Sequence, residues 1–224
     1  MKKLILLSAV ATALVLGSCG GNGKTSATAT TAQEASEKVG ESYAIALDSS
    51  KVDWKAFHKG GFAPRWGTIN IQSGDISVQD GEITGGDFVL DMKTIKVDAA
   101  SVTEADKKAI DLENHLKSAD FFHVDSIPTA EFVVTKVEAL ATAPQGAIEG
   151  ANKTVSGNLT LLGNTINVSF PAKVEVSDNV VSVAAHFTVN RTDWGIKFGT
   201  NEVDPAEWMI SKDIEVGIDV KATK

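Results

Sequence analysis

Thr154-Val155-Ser156-Gly157-Asn158-Leu159-Thr160-Leu161, followed by Ile166-Asn167-Val168-Ser169-Phe170-Pro171-Ala172-Lys173-Val174-Glu175-Val176, alternates apolar or small residues with polar ones over nearly twenty positions. A period of two belongs to strands with one wet face and one apolar face, because successive side chains leave a strand on opposite sides. The same rhythm returns in Val181, Val183, Ala185, Phe187 and Val189, and again in Ile214, Val216, Ile218 and Val220. Upstream it is carried by Val52-Trp54-Ala56, Ile69-Ile71, Ile76-Val78, Phe88-Leu90-Met92 and Phe132-Val134, at two-residue steps. Eight or nine strands follow from this count.

Ser73-Gly74-Asp75, Asp80-Gly81, Gly163-Asn164 and Ser177-Asp178-Asn179 punctuate the alternation with turn residues, which predicts antiparallel hairpins. Residues 103–117 break the rhythm: Ile110, Leu112 and Leu116 among Glu104, Lys107, Lys108, Asp111 and Glu113 suit an amphipathic helix with Thr103 as its N-cap. An all-β chain of this size hides its strand edges by closing into a barrel or by folding as a sandwich, and periodicity alone leaves both open.

The N-terminus carries a different signal. Lys2 and Lys3 precede an apolar run over residues 4–16, and Gly17-Ser18 then leads to Cys19, the only cysteine. This order reads as a bacterial lipoprotein signal. The run is about a dozen residues long, short of the roughly 20 needed to span a bilayer as a helix. Cleavage before Cys19 and acylation of its sulfur would tether the chain to a membrane by lipid. Residues 1–18 are thus expected to be the signal peptide, 19–42 a flexible tether rich in Gly, Ser, Thr and Ala, and 43–224 one folded domain. Gly20 stands where bacterial sorting rules place Asp for inner-membrane retention, so the outer membrane, with the domain facing the periplasm, is the expected address.

The formal net charge is −8, and loss of Lys2 and Lys3 with the signal makes it more negative by two. An acidic chain without a basic patch repels phosphate backbones, so no nucleic-acid partner is expected. His115 and His123 stand eight residues apart, Asp111 lies one helical turn before His115, and His58 and His186 fall elsewhere. No compact ligand set emerges, and neither a metal nor a cofactor is inferred. A Gly-x-Ser-x-Gly elbow is absent from the sequence. Counting in twos from Phe187 and Val189 points Arg191 inward, where a guanidinium needs an acceptor; Asp120 or Asp193 is favoured over a ligand head group.

Glu113-Asn114-His115-Leu116-Lys117-Ser118-Ala119-Asp120-Phe121-Phe122, followed by Ile127-Pro128-Thr129-Ala130-Glu131-Phe132, closely resembles the signature of the YceI-like family. Three further matches lie in the family's order: residues 86–95, residues 155–163, and Asn190-Arg191-Thr192-Asp193-Trp194-Gly195-Ile196. Two departures are Ser50-Lys51-Val52-Asp53-Trp54 for the usual His-Ser-x-Val-x-Phe opening, and Asn114 where an Arg often precedes His-Leu. The resemblance implies a lipocalin-like antiparallel β-barrel of about eight strands with one short helical insertion, whose interior holds a polyisoprenoid or another amphipathic lipid.

Inward residues of a small barrel either fill it or leave room for one ligand. The expected lining is Trp54, Phe88, Leu90, Met92 and Phe132 from the first half, then Leu159, Phe170, Phe187, Val189 and Arg191. Small Ala56, Gly157, Ala172 and Ala185 are expected to leave space, and at least one of Phe121 and Phe122 to cover the mouth from a turn fixed by Asp120. A solid-cored structural or adhesion sandwich is the alternative, and less so an enzyme using Asp120, His115 and Arg191. Whether two copies pair to lengthen the pocket is left open. Replacing Cys19 by Ser should move the protein from carbonate-washed membranes to the soluble fraction; retention in the membrane would overturn the lipoprotein reading.

Overall fold

The computed structural model describes residues 25–200, 205 and 208–224. Among the described residues ten strands and one α-helix follow in chain order: β1 (Thr28–Thr31), β2 (Glu41–Ile45), β3 (Lys51–Ala56), β4 (Arg65–Gln79), β5 (Glu82–Val97), α1 (Ala109–Lys117), β6 (Thr129–Ala139), β7 (Lys153–Leu161), β8 (Asn164–Val176), β9 (Val180–Asn190) and β10 (Asp213–Thr223). The sheet is antiparallel and closes on itself, since β9 pairs with both β8 and β10. β2 and β3 together make one stave between β4 and β10, interrupted by a 3-10 turn at Leu47–Ser49. An eight-staved barrel with one helix results, and closure decides the barrel-or-sandwich question that periodicity left open.

Hairpin turns form where the sequence places them at Asp80-Gly81 and at Ser177-Asp178-Asn179, which joins β8 to β9. Asp80 and Gly81 adopt φ of 54° and 79° between β4 and β5, the paired positive values that tight two-residue hairpins need. At the β7–β8 hairpin these values fall one residue earlier than expected, on Leu162 and Gly163 (50° and 74°). Ser73-Gly74-Asp75 is not a turn. It lies inside the 15-residue β4, beside a register shift between Ile71 and Ser73. A Cβ on Gly74 would meet the Asp87 carbonyl at 2.5 Å, so glycine there serves a close strand approach rather than a reversal.

The helix is shorter than expected. It starts at Ala109, with Lys108 as an N-cap that makes no side-chain hydrogen bond, instead of opening at Thr103. Its apolar side, with Leu116 buried and Leu112 partly so, packs beside Ile95, Val97 and Phe121 at one end of the barrel. Glu113, buried on the same side, accepts the Val97 N–H at 3.1 Å and meets Lys96 Nζ at 3.3 Å. A side chain thereby satisfies a backbone donor that would otherwise be buried without a partner.

Residues 25–42 differ most from expectation. They are not a free tether: β1 pairs with β8 from Thr28↔Ser169 to Thr31↔Ile166, and residues 33–39 lie across the outside of β7, β6 and β5. Gln33 N–H donates to Asn158 Oδ1 at 3.0 Å, Asn158 Nδ2 donates to the Gln33 carbonyl at 2.7 Å, and Ser36 N–H donates to the Val134 carbonyl at 3.0 Å. Composition misleads here because the segment gains order through its backbone, while the side chains of β1 stay exposed. Residues 1–24, with Cys19, lie outside the described residues.

Gly157 illustrates how tightly the wall is used. A Cβ built there would lie 2.2 Å from the Phe132 ring, so the glycine is a seat for the phenyl group. Gly157→Ala should lower stability by about 1–3 kcal/mol through overpacking. Urea unfolding of the variant checks this, with an unchanged midpoint as the contrary result.

Candidate functional site

Inward side chains leave two adjoining cavities along the barrel axis. The inner one, about 190 Å³, is lined mainly by apolar side chains of the strands from β3 to β10, with Phe122, Trp194 and Ile196 added from loops. The outer one, about 330 Å³, lies under α1 and the loops at that end, with Asp106, Lys107, Lys108 and Asp111 among its lining. Trp54, Ile69, Phe122, Arg191, Ile196 and Ile214 border both, so these residues form the partition between them.

Most of the expected lining residues meet here. Trp54, Phe88, Leu90, Met92 and Phe132 border the inner cavity, as do Leu159, Phe170, Phe187, Val189, Arg191 and Phe122. Phe121 does not. It is buried, borders only the outer cavity, and packs edge-on against His115 with ring centroids 5.0 Å apart. The adjacent aromatics thus divide the work: Phe122 sits at the partition and Phe121 fixes the helix end. Phe88, Phe132, Phe170 and Phe187 make a continuous series of ring contacts at 6.2, 6.0 and 4.0 Å across four staves.

The small inward residues do not act alike. Ala56 borders the outer cavity, but Gly157 receives Phe132, while Ala172 and Ala185 face one another in the β8–β9 ladder and are buried. A small side chain on a pleated wall permits either an opening or a closer neighbour, and the neighbour decides which.

Arg191 is inward and buried as the alternation predicts, yet its acceptors are not Asp120 or Asp193. Strand β9 ends at Asn190, whose side chain accepts the Thr192 N–H at 3.1 Å and starts a 3-10 turn over Arg191–Trp194. From that turn Nε donates to the Ser211 carbonyl at 2.9 Å and Nη1 to Ile196 at 2.9 Å; Nη2 donates to Phe198 at 2.8 Å and Ile210 at 3.2 Å. Four main-chain carbonyls from two loop segments therefore converge on one guanidinium. Its fork of fixed donors suits this task, and burial pushes its pKa down. Burial, and then Asp213, pushes the Asp193 carboxyl up.

Asp120 instead meets His115, Oδ2 to Nε2 at 3.0 Å, on the outside of the mouth. Asp120, His115 and Arg191 are consequently not assembled around one reaction centre, because the Arg191 donors are committed to carbonyls. Among the described residues no group of three or more His, Cys, Asp or Glu is arranged to hold a metal ion. Sequence reasoning missed Trp194, Ile196, Ile210 and Ile214 as lining or bordering residues, although Ile214 belongs to the apolar alternation of its strand. Trp194 is almost fully buried and donates Nε1–H to the Leu159 carbonyl at 2.9 Å, which ties the turn to β7. No local pattern marks such loop residues.

Trp54, at the partition, has a buried indole N–H without an acceptor among the described residues. The two inward polar side chains should therefore respond oppositely to removal. Arg191→Met strands several carbonyls and should cost at least about 2 kcal/mol, given about 1–3 kcal/mol per buried unsatisfied group. Trp54→Phe discards an unpaired donor and should stay within about 1 kcal/mol of the parent, relief offsetting lost volume. Thermal and urea melts of both variants decide.

The YceI-like domain profile matches residues 43–222. A UPF0312 protein of Pseudomonas aeruginosa is 30% identical over 149 residues, which is 62% of this chain and 70% of that protein. Protein YceI of Salmonella newport is 33% identical over 93 residues, 40% of this chain and 44% of that one. Among solved structures, BcnA of Burkholderia cenocepacia superimposes with a TM-score of 0.58 at 16% identity, covering 80% of this chain and 99% of BcnA. A polyisoprenoid binding domain from Saccharophagus degradans, implicated in plant cell wall breakdown, gives 0.56 at 16% identity over 81% of this chain and 97% of that domain. At these identities the two structures bear on the fold.

Proposed function

From membership of the YceI-like domain family, to which this chain belongs, we propose that the barrel binds an amphipathic lipid, of polyisoprenoid or similar type, with its hydrocarbon chain in the two cavities. The observation that carries this is the lining of the inner cavity: a contiguous series of phenyl rings and aliphatic side chains, with Arg191, its one cation among the described residues, already saturated by carbonyls. Such a surface offers an oily chain dispersion and freedom from water, and offers a reacting group nothing. The two volumes together fall within the ~300–1,000 Å³ of small-molecule pockets. Each methylene transferred from water gains about 0.8 kcal/mol. Ten or more of them can outweigh part or all of an association cost of about 4–15 kcal/mol.

The polar end of the ligand then belongs at the outer cavity, where Asp106, Lys107, Lys108 and Asp111 stand at the border. The reading is non-catalytic, since lipid held in this way needs no acid, base or nucleophile. The likeness in fold to the polyisoprenoid binding domain of Saccharophagus degradans supports this choice of ligand class. Residues 2–19 support the further proposal that the protein is an envelope lipoprotein, acylated on Cys19 and held at the outer membrane facing the periplasm.

Organic extraction and mass spectrometry of purified Cys19→Ser protein should release a lipid at close to one per chain. Phe187→Asp puts a charge against the Phe170 ring, at an expected cost of several kcal/mol, and should lower occupancy at least about tenfold. An empty parent protein that also fails to take up added prenyl alcohols would overturn the proposal.

A further inference from the structure

The ladder between β8 and β9 is short for such long strands. It runs from Ala172↔Ala185 to Val176↔Val181 and stops, although β8 begins at Asn164 and β9 continues to Asn190. Pro171 stands where it stops. The Ala172 carbonyl accepts from Asn152 N–H at 3.0 Å and Val174 N–H donates to Asn152 Oδ1 at 2.8 Å, so even-numbered backbone groups of β8 turn toward the β7 side. Odd-numbered N–H groups turn toward β9, and a proline at 171 has none to give. The two strands part from that residue upward.

Residues 25–31 fill the gap. Ala27 N–H donates to the Thr188 carbonyl at 2.9 Å and Thr188 N–H to the Thr25 carbonyl at 2.9 Å, while β1 pairs with β8 on its other side. Directly behind this inserted strand, Phe170 and Phe187 stack face to face, 4.0 Å apart and 10° from parallel, and both border the inner cavity. All four side chains of β1 are exposed, and just before it the small Ala27 packs partly buried against the Phe170–Phe187 cluster, so the segment is held mainly by backbone hydrogen bonds and covers little apolar surface. It also lies outside residues 43–222, the span of the family profile.

A segment held this way opens locally far more readily than the barrel it covers. Its departure would leave a slit of about 9–10 Å, two strand spacings, between the upper parts of β8 and β9. The five-pair ladder below would still keep the barrel closed, and the reciprocal Gln33–Asn158 hydrogen bonds would retain the segment at its far end. We propose that the upper β8–β9 seam is a side entrance for the hydrocarbon chain of the lipid, with residues 25–31 as its gate and the Phe170–Phe187 pair as the inner threshold. This rests on the lipid-binding reading above and adds a route to it. The route suits an extended, flexible chain, which can slide between two strands end-first.

Ser26 and Thr188 bring their side-chain oxygens within 3.1 Å of each other, so cysteines at both positions can lock the gate. In a Cys19→Ser background, Ser26→Cys with Thr188→Cys is compared oxidised and reduced, using the fluorescent C18 fatty acid cis-parinaric acid and stopped-flow mixing. Locking should slow both uptake and release by at least about tenfold and leave the equilibrium affinity unchanged, since a gate acts on rates. Ala27→Pro, which removes the donor to Thr188, should speed both by about threefold or more. Equal rates in the oxidised and reduced forms, with the disulfide confirmed by mass, would overturn the gate and leave lipid binding standing. Failure of either form to bind this probe or a prenyl alcohol at equilibrium would remove the lipid-binding reading, and the gate with it.

Discussion

Every open edge of a sheet must find a partner, and in this chain that requirement is met by β9, which pairs along its length with β10 and over its first half with β8. Closure turns a row of alternating residues into an inside and an outside. Once the ring is shut, each inward residue faces others across a narrow lumen rather than a flat layer. The ring contacts from Phe88 to Phe187, the seating of Phe132 on Gly157 and the two cavities all follow from that confinement. A one-residue slip in any hairpin would turn a stave's apolar set to water, so the register is held by the same burial that it creates.

The helix end of the barrel is organised by polar chemistry of an unusual economy. Arg191 gathers carbonyls from Ile196, Phe198, Ile210 and Ser211, Glu113 takes the Val97 N–H, and Trp194 ties the 3-10 turn to Leu159. Loops carry backbone groups that a strand ladder would have satisfied, and burying them requires substitute partners. One guanidinium supplies four such partners. The consequence for the inner cavity is that Arg191, the one cation among its described lining residues, binds the protein's own backbone.

At the β8–β9 seam, where β9 runs up to the Arg191 turn, an N-terminal segment of low hydrophobicity stands in for a missing stretch of ladder. Proline in β8 separates the strands, and residues 25–31 restore the hydrogen bonds while adding little more than Ala27 to the core. The wall is therefore stiff where β8 meets β9 directly, and depends on a lightly held insert above Pro171. Stability in this barrel is uneven by construction, and the uneven place adjoins the cavity.

How much was legible beforehand can be judged residue by residue. The alternation placed Trp54, Phe88, Met92, Phe170, Phe187 and Val189 on the inner face correctly, because facing in a strand is a local property with a fixed period of two. It turned Arg191 inward for the same reason but named the wrong acceptors. Those acceptors come from residues 196–211, beyond a turn whose path only packing sets. Ser73-Gly74-Asp75 looked like a turn since glycine serves reversals and close approaches alike, and only the neighbouring Asp87 backbone distinguishes them. Residues 25–42 looked free because composition reports what side chains can bury and is silent on backbone edges waiting in a distant pair of strands. The sequence by itself determined the all-β class, the inward set and the motifs that mark the family, all written in local periodicity and short spacing. Tertiary structure alone decided closure into a barrel, the division of its interior into two cavities, the carbonyl cage of Arg191 and the strand inserted at the β8–β9 seam, because each depends on groups far apart in the chain meeting in space.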